Sequence, residues 1–343
     1  MIDSLGMLDA ARALPEQMRA AAVGMDSVEG LPPAEGISSV VVLGMGGSGI
    51  AGDVLAAVAG PSCPVPIVVS KHYECPAFVG PDILVLAISF SGNTEETIDA
   101  VHQAVGAGAR LVAITAGGHL ARIAREWGAP VVRLDDSIPM PRAGIAAVAV
   151  PPLLVLEQLG LLDDAGQQVD AAVAQMERRR AELGADLGPV TKVARRIGRT
   201  LPIVYGGGAL GEVAAWRWKG QFNENPKVAS FANRVPELTH NEICGWGQHG
   251  DVTRQVFSLV LLRHDAEHPQ VQRRFELIAE ICDEVVNDVI EVRAKGDGQL
   301  AQLFDLILLG DLVTLQMASN EDVDPGPVPV LDEIKVRLAT ESG

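Results

Sequence analysis

Two groups of residues in this 343-residue chain have the types and spacing to do chemistry, and they lie far apart in the sequence. The first is Ser89-Phe90-Ser91-Gly92-Asn93-Thr94, set between the apolar run Ile83–Ile88 and a helical pattern that opens on Glu95 and Glu96. Backbone N–H groups at a helix start are unpaired and carry the positive end of the helix dipole. Serine and threonine hydroxyls add donors there without fixed charge. Ser89, Ser91 and Thr94 therefore read as a cradle for a phosphate monoester. Ser48 lies in the equivalent turn after the first apolar run, within Gly44-Met45-Gly46-Gly47-Ser48-Gly49, and can approach the same point. The competing reading is a plain helix start, with Thr94 as N-cap and Glu96 and Thr97 following. Ser48 beside the Ser89 cluster favours the cradle. No such cluster follows the second-half run Val256–Leu262, which leads into Arg263-His264-Asp265, so one phosphate site per chain is expected.

The second group is Glu224, flanked by Asn223 and Asn225 at the end of a helical pattern, with His240 in Pro236-Glu237-Leu238-Thr239-His240-Asn241-Glu242. A carboxylate and an imidazole suit proton transfer at a sugar carbonyl, the carboxylate as base and the imidazole handling the ring oxygen. Capping and joining of helices would use the same polar residues. A metal is not expected: His264 and His268 stand four apart, but Asp265 and Pro269 place them in a loop.

Both glycine runs, Gly44–Gly49 and Gly206–Gly211, satisfy G-x-G-x-x-G. A dinucleotide-binding fold also wants a carboxylate about 20 residues on, at the end of the second strand. Here that strand ends in Ser70-Lys71, which leaves only a 2′-phosphate reading and a nicotinamide enzyme as a minor alternative. Neither run contains GK[ST], so a Walker-type nucleotide site is not indicated. The second run fits a tight turn that starts a helix close to a sheet.

The elements that must position these groups alternate. Ser38–Leu43, Pro66–Val69, Ile83–Ile88, Leu111–Ile114 and Val131–Leu134 read as buried parallel strands, with helices at Ile50–Val58, Glu95–Val105 and Leu120–Trp127 between them. A helical stretch runs from Ala143 to Leu183 with a turn near Leu162–Gly166. Strands at Leu201–Tyr205, Val256–Leu262 and Val289–Val292 then alternate with helices at Ala209–Phe222, Val271–Val285 and Leu300–Ala318. The spacing predicts an α/β chain of two doubly wound parallel-sheet units packed together, ending in a helix at Leu331–Leu338. The expected divisions are an N-terminal helical segment (1–30), a first unit (31–160) with the cradle, a helical connection (161–187) and a second unit (188–343).

Composition excludes several partners. With 27 Lys+Arg against 44 Asp+Glu the net charge is −17, which repels nucleic acid and anionic membranes. Met1–Met25 reads as a short amphipathic helix without the basic and apolar regions of a signal peptide. The longest apolar run is taken as Gly144–Leu156, too short to span a bilayer. Cys63, Cys75, Cys244 and Cys282 form no CxxC pair and read as reduced thiols, and a cytoplasmic location is expected.

In order, GMGGSG (44–49), SFSGNTEET (89–97), PRAGI (141–145), FNENPK (222–227), PELTHNEICGW (236–246) and VDP…LDEIK (323–335) resemble the bifunctional phosphoglucose/phosphomannose isomerases over about 37–338. That family is built from two sugar-isomerase (SIS) domains. The resemblance implies a metal-independent, cofactor-free aldose–ketose isomerase that interconverts glucose or mannose 6-phosphate with fructose 6-phosphate through a cis-enediolate. It implies that Ser48, Ser89, Ser91 and Thr94, with Gly46 and Gly47 in the substrate loop, hold the phosphate. Arg142 would stabilise the enediolate, Glu224 would move the proton between C1 and C2, His240 would assist ring opening, and Lys335 would act near the ring or hydroxyls. It further implies a homodimer in which the histidine comes from the partner chain. Phe90, where tyrosine is expected, and Pro226 after the NEN motif depart from the family pattern. A SIS protein that binds a sugar phosphate as sensor or scaffold, without turnover, is the alternative.

Overall fold

The computed structural model describes residues 2–185 and 187–341, with side chains to 338; residues 1, 342 and 343, the outermost of the expected segments, lie outside the described residues. The N-terminal stretch forms two helices, α1 (Met7–Arg12) and α2 (Leu14–Gly24), in place of the one expected. Pro15 restarts the helix, because a first turn loses nothing by proline's missing N–H.

Next come β1 (Ser39–Leu43), α3 (Gly46–Ala59), β2 (Ile67–Ser70), β3 (Ile83–Ile88), α4 (Glu95–Gly106), β4 (Arg110–Thr115), α5 (Gly118–Glu126) and β5 (Val131–Arg133). The five strands form a wholly parallel sheet in the order β2-β1-β3-β4-β5. One boundary moves: α3 starts at Gly46, four residues before the apolar pattern does, because glycines carry no periodicity signal. Ser48 therefore sits in the first turn of a helix.

Helices α6 (Ile145–Gln158), α7 (Ala165–Leu183) and α8 (Gly188–Ile197) lead into β6 (Leu201–Gly207), α9 (Gly208–Glu224) and β7 (Phe231–Val235). The chain continues through α10 (Gly250–Val256), β8 (Phe257–Arg263), α11 (Pro269–Cys282), β9 (Val289–Arg293), α12 (Gln299–Asn320) and α13 (Pro329–Glu341). The second sheet is parallel, in the order β7-β6-β8-β9. Strand β7 is absent from the sequence reading because Phe231-Ala232-Asn233-Arg234-Val235 is neither apolar nor alternating. It is an edge strand with only Val235 buried, so no apolar pattern is required of it.

The two sheets turn one face each toward a shared core. Val40, Val42, Leu84 and Leu86 of the first sheet and Val204, Val260 and Leu262 of the second belong to one apolar cluster, filled between them by α3, α6, α7, α9 and α12. The outer face of the first sheet packs on α4 and α5, and that of the second on Phe275 and Ile278 of α11. Gly144–Leu156 is uninterrupted, whereas α12 carries a longer apolar window broken by Asp305 and Asp311. By length and composition α12 could cross a membrane, yet 94% of its apolar window is buried within the protein. A helix enclosed on all sides is apolar on all sides. All four cysteines are free.

Helices α9 and α12 meet closely because Gly310 leaves room for Trp218, whose indole Nε1 donates to Leu306 O at 2.8 Å. A Cβ on Gly310 would lie 2.4 Å from that nitrogen. Gly310→Ala is therefore expected to cost about 1–3 kcal/mol of unfolding free energy. Urea denaturation followed by circular dichroism checks this, and an unchanged midpoint would contradict the packing described.

Candidate active site

The cradle forms at the carboxyl edge of the first sheet, where β1 and β3 are neighbours. Ser89 is fully buried, and its Oγ accepts from Gly92 N at 3.1 Å and lies 2.9 Å from Thr94 Oγ1. Thr94 holds the N-cap position of α4, but its hydroxyl turns to Ser89 and makes no capping bond. The first N–H groups of α4 are thus left without a side-chain cap, which is what an anion at that helix start requires. The loop can close this tightly only with glycine at 92, where φ is +69° and a Cβ would lie 1.8 Å from Gly117 O. Ser91 is exposed, its Oγ accepting from Asn93 N at 3.2 Å. Ser48 joins the two loops, its Oγ accepting from Phe90 N at 3.3 Å.

Arg142 lies against this cradle. A Cβ on Gly47 would be 3.8 Å from Arg142 Cα, so the glycine loop rests on the short turn Pro141–Gly144 that follows β5. The guanidinium is 5% exposed. Its Nε donates to Asn225 Oδ1 at 3.3 Å, and its Nη2 donates to the carbonyls of Pro325 and Gly326, the latter at 2.8 Å. The remaining nitrogen, Nη1, is buried without a hydrogen-bond partner and lies 3.4 Å from Glu224 Oε2. Burial lowers the Arg142 pKa and the Glu224 carboxylate opposes the shift; an arginine stays charged under both.

Glu224 is the last residue of α9 and is one-third exposed, so its carboxylate faces an opening. Beneath it runs a buried polar network that sequence reasoning missed. Arg217 donates to both carboxylate oxygens of Asp311, at 3.1 and 2.7 Å, and to Arg142 O at 2.7 Å. Gln221 donates to Asp311 Oδ1 at 2.9 Å, and Asn225 Nδ2 donates to Thr314 Oγ1 at 2.9 Å. Burial pushes the Asp311 carboxyl up, and Arg217 with Gln221 counters it. The available signal was Asp311 and Thr314 inside an otherwise apolar helix, since a buried polar group needs a partner. Lys227 donates to the carbonyls of Glu224 and Pro325, and burial together with Arg142 lowers its pKa.

Two further candidates lie elsewhere. Glu224 precedes the amino end of β7 and His240 follows its carboxyl end, in the turn Glu237–His240. Five strand residues separate those edges by roughly 15 Å. His240 is exposed, and two residues on Glu242 is held by Tyr205 Oη and Asn233 Nδ2. Lys335 projects from α13 with its side chain 78% exposed, 3.8 Å from Asp332 Oδ1. The structure therefore brings together Ser48, Ser89, Thr94, Arg142 and Glu224, but not His240 or Lys335.

The second glycine run carries no open cradle. A Cβ on Gly207 would meet Phe275, Val271 and the Glu267 side chain, all within 3.2 Å. Glu267 is itself buried in an ion pair with Arg263 at 2.8 Å. His264 Nε2 lies 2.8 Å from Gly207 O, and His268 accepts from Gln270 N at the start of α11.

Comparison with known proteins agrees with this architecture. Residues 36–133 match the SIS domain, and residues 188–338 match the bacterial phospho-glucose isomerase C-terminal SIS domain. A bifunctional phosphoglucose/phosphomannose isomerase of Caldicellulosiruptor bescii is 34% identical over 337 residues, covering 97% of this chain and 99% of that protein. The Aquifex aeolicus protein of the same name is 31% identical, over 91% of this chain and 93% of its own length. In three dimensions the chain is similar to tagatose-6-phosphate ketose/aldose isomerase from Escherichia coli, with a TM-score of 0.72 at 16% identity over 95% of this chain and 96% of that one. At that identity the likeness is one of fold. Near-full-length identity to two relatives of one name, on a frame of two parallel sheets, places this chain in the bifunctional phosphoglucose/phosphomannose isomerase family.

Proposed function

We propose that this chain is an aldose–ketose isomerase that converts glucose 6-phosphate and mannose 6-phosphate to fructose 6-phosphate and back. The observation that carries the reading is the unpartnered Nη1 of Arg142 at 3.4 Å from the Glu224 carboxylate, beside an uncapped helix start lined with hydroxyls. The cradle of Ser48, Ser89, Ser91 and Thr94, with Gly46 and Gly47 behind it, takes the 6-phosphate and leaves the open-chain carbonyl end toward Glu224.

Glu224 removes the C2 proton of the aldose, and the electron pair left on carbon moves into a C1–C2 double bond. Charge collects on O1, where the free N–H of Arg142 stabilises it more than it stabilises the neutral carbonyl. The hydroxyl proton passes from O2 to O1, the carbonyl reforms at C2, and Glu224 returns its proton to C1. No atom is gained or lost and no redox partner is required. Glucose and mannose 6-phosphates differ only at C2, the carbon that loses its proton, so both reach fructose 6-phosphate by this route. His240 assists ring opening from the partner chain of a homodimer, and Lys335 acts near the ring or the hydroxyls. A cytoplasmic location fits a phosphorylated substrate, which does not cross membranes unaided.

Glu224→Gln is expected to lower kcat by about 10²–10⁴-fold with little change in KM. A coupled assay with all three sugar phosphates measures it, and turnover equal to wild type sinks the assignment. Ser89→Ala removes a bond to a charged ligand and is expected to raise KM about tenfold, with a smaller effect on kcat. Enzyme dialysed against EDTA is expected to keep its activity, since the route uses only side chains.

A further inference from the structure

Helix α9 delivers Glu224 from its last turn, and the carbonyls of a last turn have no partner within the helix. The chain then reverses through Asn225-Pro226-Lys227, and Val228 N donates back to Phe222 O at 3.0 Å. Lys227 makes this reversal with φ at +60°, a left-handed conformation that helix ends ordinarily give to glycine. A lysine is the strained choice there, and residues strained in this way persist where their surroundings hold them. The ammonium supplies two such contacts. Lys227 Nζ donates to Glu224 O at 2.5 Å and to Pro325 O at 3.3 Å. A cation at a helix carboxyl end is favourable, but a cap needs only the first of these bonds. The second acceptor is the carbonyl that Arg142 Nη2 also holds. Two cations thus converge on one oxygen. Partial burial and then Arg142 lower the Lys227 pKa, while Asp324 and Glu224 oppose the shift. Of those two carboxylates Asp324 is already engaged, accepting from Gly326 N at 3.1 Å and from Ser4 N at 3.3 Å.

We infer that Lys227 is a positioning residue for the proton transfer, a strap that ties the end of α9 to Pro325 and so holds the Glu224 carboxylate against Arg142 Nη1. The inference rests on the proposed reaction for the role of Glu224 and adds to it the group that fixes the geometry. The approach of Nη1 to Glu224 Oε2, at 3.4 Å, has two ends. One is the backbone of Glu224, and the other is a guanidinium anchored on Pro325 O and Gly326 O. Lys227 bonds the backbone at the first end and the anchor at the second, so it sets their separation directly. A plain turn or cap would need neither the second bond nor a lysine. The charges point the same way. When Glu224 takes the C2 proton, one negative charge leaves its carboxylate and one appears on O1. Arg142 and Lys227 then face the same number of negative charges as before, and neither has to move.

Three variants of the full-length chain test the strap in the coupled assay. Lys227→Met is expected to lower kcat about 10²-fold with KM little changed, the loss that a misplaced catalytic group produces. Lys227→Gly separates the strap from a mere turn, because glycine relieves the left-handed backbone and favours the fold. It is expected to be as slow as Lys227→Met, and wild-type turnover in either variant would overturn the proposal. Lys227→Arg keeps a cation at the position and is expected to recover most of the rate. The wild-type rate is also expected to fall as pH rises through the lowered Lys227 pKa, since the charged ammonium makes the stronger bonds. Of the charged groups facing it, Arg142 stays cationic and Glu224 and Asp324 stay ionised throughout that range. The fall should move to higher pH in Lys227→Arg, and an alkaline limb that stays in place would count against the strap as decisively. Hydrogen exchange over residues 222–228 and 323–328 needs no substrate and is expected to quicken several-fold in Lys227→Gly; unchanged exchange would refute the tie itself. A wild type that turns over none of the three sugar phosphates would overturn the reaction instead, and exchange would still decide the strap.

Discussion

The burial of the Arg142 guanidinium is the constraint on which the site depends. A charged group taken out of water must be met by partners, and breaking up such a group costs several kcal/mol. Its partners come from two distant stretches: Asn225 and Glu224 at the end of α9, and the carbonyls of Pro325 and Gly326 after α12. The last of these is 184 residues away in sequence. One nitrogen is left over, and it faces the carboxylate of Glu224. Structural satisfaction of two nitrogens is what leaves the third free for chemistry.

The same demand extends one layer deeper. Arg217 and Asp311, each 2% exposed, join α9 to α12, and Arg217 also holds the backbone of Arg142. Helices α9 and α12 thereby fix a turn that follows the last strand of the first sheet. The shared apolar core has the same effect on a larger scale, since the inner faces of both sheets pack on one set of helices. Arg142 and Glu224 are held in register by this shared core. The acidic net charge would not oppose a phosphate at the proposed cradle, because N–H groups and hydroxyls act within a few ångströms, while exposed charges beyond a Debye length are screened.

Much of this was legible in the sequence. Among the described residues, apolar runs of branched residues marked eight of the nine strands, most plainly β1 and β3, which are buried on both faces. Edge strand β7 escaped because burial does not constrain it, and the start of α3 escaped because glycine has no side chain to pattern. Ser89, Thr94 and Ser48 were legible as one cluster because turns at the carboxyl ends of neighbouring parallel strands lie side by side. Arg142 was legible only through resemblance: a lone arginine after Pro141 has no local signal, and its partners are all distant. Asp311 and Thr314 were overlooked because their neighbours in α12 are apolar.

Sequence alone determined the class of fold and singled out the hydroxyl cluster around Ser89 and the pair Glu224 and His240 as candidates, since each rests on local periodicity or on side-chain type. Tertiary structure alone decided which of them meet. It set Arg142 against Glu224, placed His240 at the opposite edge of its own sheet, left Lys335 exposed on α13, and filled the second glycine turn with Phe275 and Glu267. The physical reason is one of range. Helix starts and strand periods are fixed by neighbours a few residues apart, whereas the satisfaction of a buried charge is settled by groups that only folding brings within hydrogen-bonding distance.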